Sequence, residues 1–122
     1  MFGGFHSGAV PKQDEEFYDP TIFAFSFESH GRCETPQRFH VKEELKMDAY
    51  VKFWKYYSRG FVWFGVRGNG GFFLGNERSN SYFWFMSNAF EGLADTTLTG
   101  KDGTWMEGPD HHCSRLVAIL LE

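Results

Sequence analysis

The chain of 122 residues is long enough for one domain with a single core and too short for two. Aromatic residues make up 20% of it, with 15 Phe, and its 14 Gly supply tight turns, a composition that favours β-sheet over helix. The 12 basic and 16 acidic side chains leave a net charge of −4, which argues against the broad basic surface that nucleic-acid-binding proteins use to neutralise phosphates.

Cysteine content and hydropathy favour a reducing compartment. Cys33 and Cys113 do not make the disulfide framework typical of small secreted proteins. The first residues lack the charged and apolar regions of a signal peptide, and no apolar run approaches the ~20 residues that cross a bilayer. We therefore expect an intracellular, cytoplasmic protein that does not insert into membranes.

The first third of the chain predicts two strands on either side of a loop. Residues 1–5 have the pattern of a strand end, and residues 6–20 carry prolines and an acidic cluster typical of a surface loop. Residues 21–27 alternate Phe with small side chains, which predicts a strand with its Phe residues on one face. The side chains predicted to enter the core from this strand are Phe23, Phe25 and Phe27.

The middle of the chain predicts three more strands. The first, at residues 37–41, is short and precedes a solvated turn. Residues 47–54 and 61–66 follow as strands, although the apolar spacing of residues 45–54 fits a helix about as well. The side chains predicted to point inward from the first of these strands are Phe39 and Val41.

The last part of the chain predicts further strands around a glycine-rich turn. Residues 68–71 form that turn, because glycine adopts the positive φ that tight turns need. Residues 87–93 form a turn or one helical turn, and residues 101–112 a polar loop. Strands are predicted at residues 72–74, 82–85, 96–99 and 115–121, the last of which is an almost continuous apolar run.

Together these elements predict an all-β to β-rich α+β fold. Two antiparallel sheets form a sandwich with one or two short helical turns, and residues 1–122 form a single domain. The aromatic side chains predicted to fill its core, and not to bind a ligand, are Phe23, Phe25, Phe27, Trp63, Phe72 and Trp84.

No catalytic or cofactor motif has the spacing that its chemistry requires. The glycines at 65–71 do not form a Gly-x-Gly-x-x-Gly loop, since its third glycine would fall at Phe73, so we expect no nucleotide cofactor. His111 and His112 are adjacent and would point to opposite faces of a strand, so we expect no metal site. The sequence therefore predicts a protein that is not an enzyme.

Several segments, in order along the chain, resemble the TLDc domain family, most closely its short protist members. Residues 2–5, Phe-Gly-Gly-Phe, are similar to the family's Phe-Gly-Gly/Ala strand end. Residues 22–27 and the Ser-His-Gly-Arg after them resemble its next strand and turn. Residues 70–74 look like its glycine-rich strand entry. The other similar segments are Arg-Ser-Asn-Ser at 78–81 with Phe85 and Asn88, Leu-Thr-Gly at 98–100, and the basic and aliphatic run at 114–119.

The resemblance implies a non-catalytic domain that binds partner proteins. TLDc proteins are associated with protection from oxidative stress and with docking onto the vacuolar proton-pumping ATPase, so we expect these roles, with subunits of that pump as partners. The family's opening helical segment and first strands have no counterpart before residue 1, which predicts an N-terminally truncated domain. A sandwich missing strands exposes an unpaired edge, and we expect self-association through it.

The binding residues that the resemblance implies belong to two loop segments. A structural role fits them equally well, because glycines satisfy turn dihedrals and short polar side chains bond to the backbone of a hairpin. These residues are Gly70, Gly71, Arg78, Ser79 and Asn80.

Two other functions stay open on the sequence alone. A nucleic-acid-associated regulatory protein would use a local basic and aromatic patch between Lys42 and Arg59. A thiol-based antioxidant would act through Cys33, which follows the cationic Arg32, or through Cys113. The members of the basic and aromatic patch are Lys42, Lys46, Lys52, Lys55, Arg59, Tyr56 and Tyr57.

Overall fold

The computed structural model describes residues 1–27, 35–54, 62–75, 81–95 and 97–98. These ranges contain a 3-10 helix, Glu43–Asp48, and a one-turn helix, α1 Met86–Ala89. The strands, in chain order, are β1 Phe2–Phe5, β2 Glu16–Tyr18, β3 Phe23–Ser26, β4 Gln37–His40, β5 Ala49–Phe53, β6 Val62–Val66, β7 Gly70–Leu74 and β8 Tyr82–Trp84.

The strands form two antiparallel sheets. One sheet has three strands in the order β1-β3-β4, and the other has five in the order β2-β5-β6-β7-β8. Consecutive strands β5 to β8 pair as hairpins. Strand β2 belongs to the five-stranded sheet, although its neighbours along the chain, β1 and β3, belong to the other sheet. The predicted fold class, a β-rich antiparallel two-sheet fold with short helices, is confirmed.

Phenylalanine rings from both sheets meet in the core. The Phe2 ring of β1 lies 5.1 Å, centroid to centroid, from Phe83 and 6.2 Å from Phe72, both on the other sheet. Phe72 in turn stacks on Phe64 at 5.3 Å. The buried residues of this core are Ile22, Ala24, Phe39, Val41, Ala49, Val51, Val62, Phe64, Val66, Phe72, Phe83, Met86, Ala89, Phe90, Leu93 and Leu98.

The face of β3 that enters the core is the opposite of the predicted one. Ala24 and Ser26 are 0% and 1% exposed, whereas the Phe27 side chain is 58% exposed. Phe23 and Phe25 are half-buried on the outer face, opposite Phe5 and Gly3 of β1. The prediction that Phe23, Phe25 and Phe27 fill the core is therefore wrong.

The limited space between the two sheets explains why the small side chains of β3 face the core. A Cβ atom at Gly4, the β1 neighbour of Ala24, would lie 2.7 Å from the Phe64 ring, so the rings of the five-stranded sheet already fill the space below β1 and β3. Interiors are close-packed, and only small side chains fit at this point. Alternation identifies the two faces of a strand, but which face is buried depends on the opposing sheet.

The other predicted elements can be compared within the described ranges. β4 carries Phe39 and Val41 inward as predicted, and β5 is a strand and not the rival helix. A 3-10 helix occupies residues 43–48, where a turn and the start of a strand were predicted. β2 lies within the predicted loop, and Thr97 and Leu98 lie in a turn instead of a strand. The predicted strand at 115–121 falls outside the described residues.

The segment after α1 pairs with the chain at the C-terminal end of β4. Val41 and Phe90 form an isolated antiparallel bridge. The Lys42 N–H donates to Ala89 O at 3.0 Å, and the Glu91 N–H donates to His40 O at 2.8 Å. The outward carbonyl group at this end of β4 is therefore paired within the chain. Neither helix in the described ranges has the length and hydropathy needed to cross a bilayer.

Candidate binding surface

Two of the predicted binding residues, Gly70 and Gly71, begin strand β7 and are buried. A Cβ atom on Gly70 would lie 2.7 Å from the Trp84 carbonyl oxygen, and one on Gly71 would lie 2.5 Å from the Phe64 carbonyl oxygen. No side chain fits there without moving backbone, so close strand approach requires both glycines. Their part in binding stays a prediction.

The remaining predicted residues, Arg78, Ser79 and Asn80, fall outside the described residues. The two ends of their loop are described. The Gly75 N–H donates to Ser81 Oγ at 3.0 Å, and this bond is buried. Ser81 thus pins the ends of the β7–β8 hairpin, while the roles predicted for Ser79 and Asn80 stay predictions.

Register places a set of aromatic side chains on the outer side of the five-stranded sheet. One row across the strands reads Tyr18, Tyr50, Gly65, Gly71 and Trp84, and the adjacent row reads Glu16, Lys52, Trp63, Phe73 and Tyr82. The aromatic members of these rows, here called the aromatic face, are Tyr18, Tyr50, Trp63, Phe73, Tyr82 and Trp84.

A pair of glycines lets the indole of Trp63 lie against the middle of this sheet. Gly65 and Gly71 are directly opposite each other on β6 and β7. Cβ atoms at these positions would lie 3.1 and 2.8 Å from Trp63 Cζ2. Tyr50 continues the surface, with its ring centroid 6.2 Å from that of Trp63. Trp63 Nε1 is buried, and no residue in the described part of the chain forms a hydrogen bond with it.

A charged cluster closes one end of the aromatic face. The Arg67 guanidinium donates to Glu16 Oε2 and to Tyr18 Oη, and Tyr18 Oη donates to Glu16 at 3.0 Å. The same guanidinium lies 5.7 Å from the ring centroids of both Tyr18 and Tyr50, within cation–π range. Burial, and then the Glu16 carboxylate, raise the pKa of Tyr50, so its hydroxyl is neutral at physiological pH.

Sequence reasoning placed parts of this surface elsewhere. Trp63 and Trp84 were predicted to lie in the core, but both are half-buried on the outer face, and Tyr18 was placed in a loop. Residue type within each strand could have shown which side chains face outward. In β6 and β8 the buried side chains are Val or Phe, while Tyr and Trp, which carry a polar group, alternate with them.

The basic patch of the nucleic-acid hypothesis is only partly described. Lys46 is ion-paired with Glu43 at 2.5 Å within the 3-10 helix. Lys52 lies on the aromatic face, with its ammonium 5.5 Å from the Trp54 ring centroid. The members that fall outside the described residues are Lys55, Tyr56, Tyr57 and Arg59. Cys33, Cys113, His111 and His112 also fall outside them, so the thiol hypothesis stays untested.

A buried carboxylate joins the two sheets at one end. Asp19, which follows β2, is 4% exposed and accepts hydrogen bonds from the Ser7 N–H at 2.7 Å and from the Thr21 N–H at 2.8 Å. Hydroxyl groups of Thr21 and Ser7 donate to it at 2.6 and 3.1 Å. Because these groups hold the β1–β2 and β2–β3 connections together, the cluster has a structural role.

Both titratable groups of this cluster have shifted pKa values. Burial alone would raise the pKa of Asp19, but hydrogen bonds from Thr21 and Ser7 outweigh it and hold that pKa below its ordinary value of 3.8. Burial lowers the pKa of His6 below 6.5, against the partial opposing effect of Asp19. Among the described residues, His6 Nδ1 is buried and has no hydrogen-bond partner.

Across the described ranges, no three His, Cys, Asp or Glu side chains lie close enough together to hold a metal ion. Comparison with known proteins identifies no relative: no family model, no curated protein and no solved structure matches the chain. The resemblance to the TLDc family accordingly stays a prediction from sequence.

Proposed function

We propose that this chain is a non-catalytic protein-interaction domain and that the aromatic face is its recognition surface. The observation that carries the proposal is the placement of six aromatic side chains on the outer side of one sheet, with Arg67 at their end. Tyr, Trp and Arg are the residues that dominate the binding energy of protein interfaces.

The polarity of the surface supports a protein partner over a nucleic acid. Arg67 is paired with Glu16, so this cation is already partly neutralised. The net charge of −4 would repel a phosphate backbone. Tyr and Trp rings, by contrast, offer a large contact area with few rotatable bonds, which suits a protein partner.

Subunits of the vacuolar proton-pumping ATPase are the first partners to test, and protection from oxidative stress is the corresponding cellular readout. The support for this choice is the sequence resemblance to the TLDc family. If the aromatic face binds the pump, the pump must present a complementary apolar surface with a hydrogen-bond acceptor for Arg67.

The test is enrichment of pump subunits from solubilised vacuolar membranes by immobilised chain. Trp84→Ala and Tyr18→Ala are each expected to reduce enrichment at least about tenfold, as loss of an interface anchor does. Phe25→Ala is the matched control, because it removes a half-buried ring from the outer face of the other sheet. It should bind like the parent chain.

The outcomes separate the partner from the surface. No enrichment of pump subunits by a correctly folded parent chain would exclude the pump as partner. Enrichment that Trp84→Ala and Tyr18→Ala leave unchanged would show that another surface binds. Enrichment that weakens steeply with added salt and with nuclease treatment would favour the nucleic-acid alternative.

A further inference from the structure

Hydrogen-bond parity shows which backbone groups of β1 point away from its sheet. The Phe27 N–H donates to Met1 O at 2.9 Å, so these two residues form a hydrogen-bonded antiparallel pair. Hydrogen-bonded and non-hydrogen-bonded pairs alternate along an antiparallel ladder. Phe2 and Gly4, opposite Ser26 and Ala24, therefore occupy non-hydrogen-bonded positions and direct their N–H and C=O groups outward.

As far as the chain is described, the outer edge of β1 carries none of the sequence features that commonly protect an edge against strand pairing. Its sequence, Phe-Gly-Gly-Phe, contains no charge and no proline, and the strand is unbulged in its pairing with β3. No strand in the described ranges pairs with it, since β1 ends the three-stranded sheet. Natural sheets commonly protect such an edge with lysine, proline or a bulge.

We propose that two copies of this chain associate through antiparallel pairing of their β1 strands about a twofold axis at Gly3. In that register Phe2 of each copy faces Gly4 of the other, and both residues point their backbone groups outward. The pairing makes four intermolecular N–H to C=O hydrogen bonds and joins the two sheets into one sheet of six strands.

Side chains favour this register as well. Opposed residues in an antiparallel pair share a face, so the inner and outer faces of the two copies become continuous. Met1, with a side chain that is 74% exposed, faces Phe5 of the other copy on the outer side. A methionine sulfur beside an aromatic ring is a favourable contact. A second copy thus supplies both the backbone and the side-chain complement.

The edges of the other sheet fit self-pairing less well. β2 begins at Glu16, immediately after Asp14 and Glu15, so two copies paired there would bring carboxylates together. β8 has three residues and leads directly into α1. Short or charged edge strands disfavour intermolecular pairing, which leaves β1 as the edge that accepts a second copy.

The experiment combines sedimentation velocity with amide hydrogen exchange of the parent chain at increasing concentration. The expected result is a monomer–dimer equilibrium in which the Phe2 and Gly4 amides gain protection as the dimer forms. The Glu16 amide, on the charged edge, should show no such gain. Added salt should strengthen the dimer, because it screens the repulsion between two chains of net charge −4.

Two variants test the edge itself. Phe5→Lys places a charge on β1 opposite Met1 of the other copy and should weaken the dimer about tenfold or more. Phe23→Lys makes the same charge change one strand away and removes the same Phe5–Phe23 stacking, in which the centroids are 4.7 Å apart. It should leave the dimer largely intact, with near-ultraviolet circular dichroism as the check on folding.

Three results would overturn the proposal. One is a chain that stays monomeric at every concentration. Another is strong protection of the Phe2 and Gly4 amides that does not depend on concentration, which would mean that the same chain covers the edge. The third is a dimer that Phe5→Lys and Phe23→Lys weaken equally. Binding through the aromatic face lies on the other sheet, so failure of either proposal leaves the other testable.

Discussion

The two sheets differ in the aromatic residues that they carry on their outer sides. The three-stranded sheet has Phe5, Phe23 and Phe25 there, with the Arg38 guanidinium 5.2 Å from the Phe23 ring centroid, while the five-stranded sheet has mainly Tyr and Trp with Arg67 at one end. A phenylalanine ring has no polar group to keep in water, whereas Tyr and Trp do. The difference gives the outer side of the five-stranded sheet the aromatic residue types that are enriched at protein interfaces.

Inner and outer rings should differ most in their effect on stability. Phe72 is 2% exposed and contacts rings of both sheets, so Phe72→Ala is expected to lower the free energy of unfolding by about 3–5 kcal/mol. Urea denaturation followed by tryptophan fluorescence measures it. If Phe72→Ala lowered the free energy of unfolding no more than Phe25→Ala, Phe72 would not lie in the main core of the protein.

The glycines of the two outer sides should respond differently to a methyl group. Gly71→Ala brings Cβ to 2.5 Å from the Phe64 carbonyl oxygen and is expected to cost about 1–3 kcal/mol. At Gly3 the nearest obstacle is the half-buried Phe25 ring, which can move, so Gly3→Ala should cost less than about 1 kcal/mol. Equal costs in urea denaturation would contradict the tighter strand approach in the five-stranded sheet.

The Asp19 cluster should make the junction of the sheets sensitive to acid. Asp19 has a folded-state pKa below its ordinary 3.8, so its contribution is present above that pH and is lost as the pH falls further. His6 acts in the same direction below pH 6.5, because burial favours its neutral form. Unfolding midpoints measured between about pH 7 and about pH 3 should fall in two stages.

Two variants show which residue causes each stage of the pH-dependent loss of stability. Asp19→Asn should cost about 1–3 kcal/mol at neutral pH and remove the more acidic stage. His6→Phe should remove the stage nearer neutrality and leave the other. A stability profile that is flat across this range in the parent chain would show that the cluster does not couple the sheets to pH.

A small effect is also expected at Phe23, one of the residues that the sequence pattern placed in the core. Its ring stacks on Phe5 but is half-buried, so Phe23→Ala should cost about 0.5–1.5 kcal/mol. Ala24→Phe, on the buried face of the same strand, should cost more because the space below it is filled. If urea denaturation showed a larger loss of stability for Phe23→Ala than for Ala24→Phe, the β3 orientation predicted from the sequence would be the correct one.

The sequence predicts the positions of strands well where turns lie at their ends. It predicts poorly which face of a strand is buried when small or apolar side chains lie on both faces. β6 and β7 follow from a glycine turn in which Gly68 has a φ of +71°. β2 was missed because its three residues sit within a proline-rich, acidic stretch, and pairing with β5 is what makes them a strand. The aromatic face depends on register across five strands, which no single segment contains.

The bridge between Val41 and Phe90 limits how far such a sheet can grow. An assembly built edge to edge continues without end only if every subunit offers two open sides. Among the described residues, the segment after α1 lies against the C-terminal end of β4 on one side of the three-stranded sheet, and β1 forms the other side. Under the proposed pairing, further growth at the β4 end would have to displace this segment, which favours closed twofold pairs over fibres.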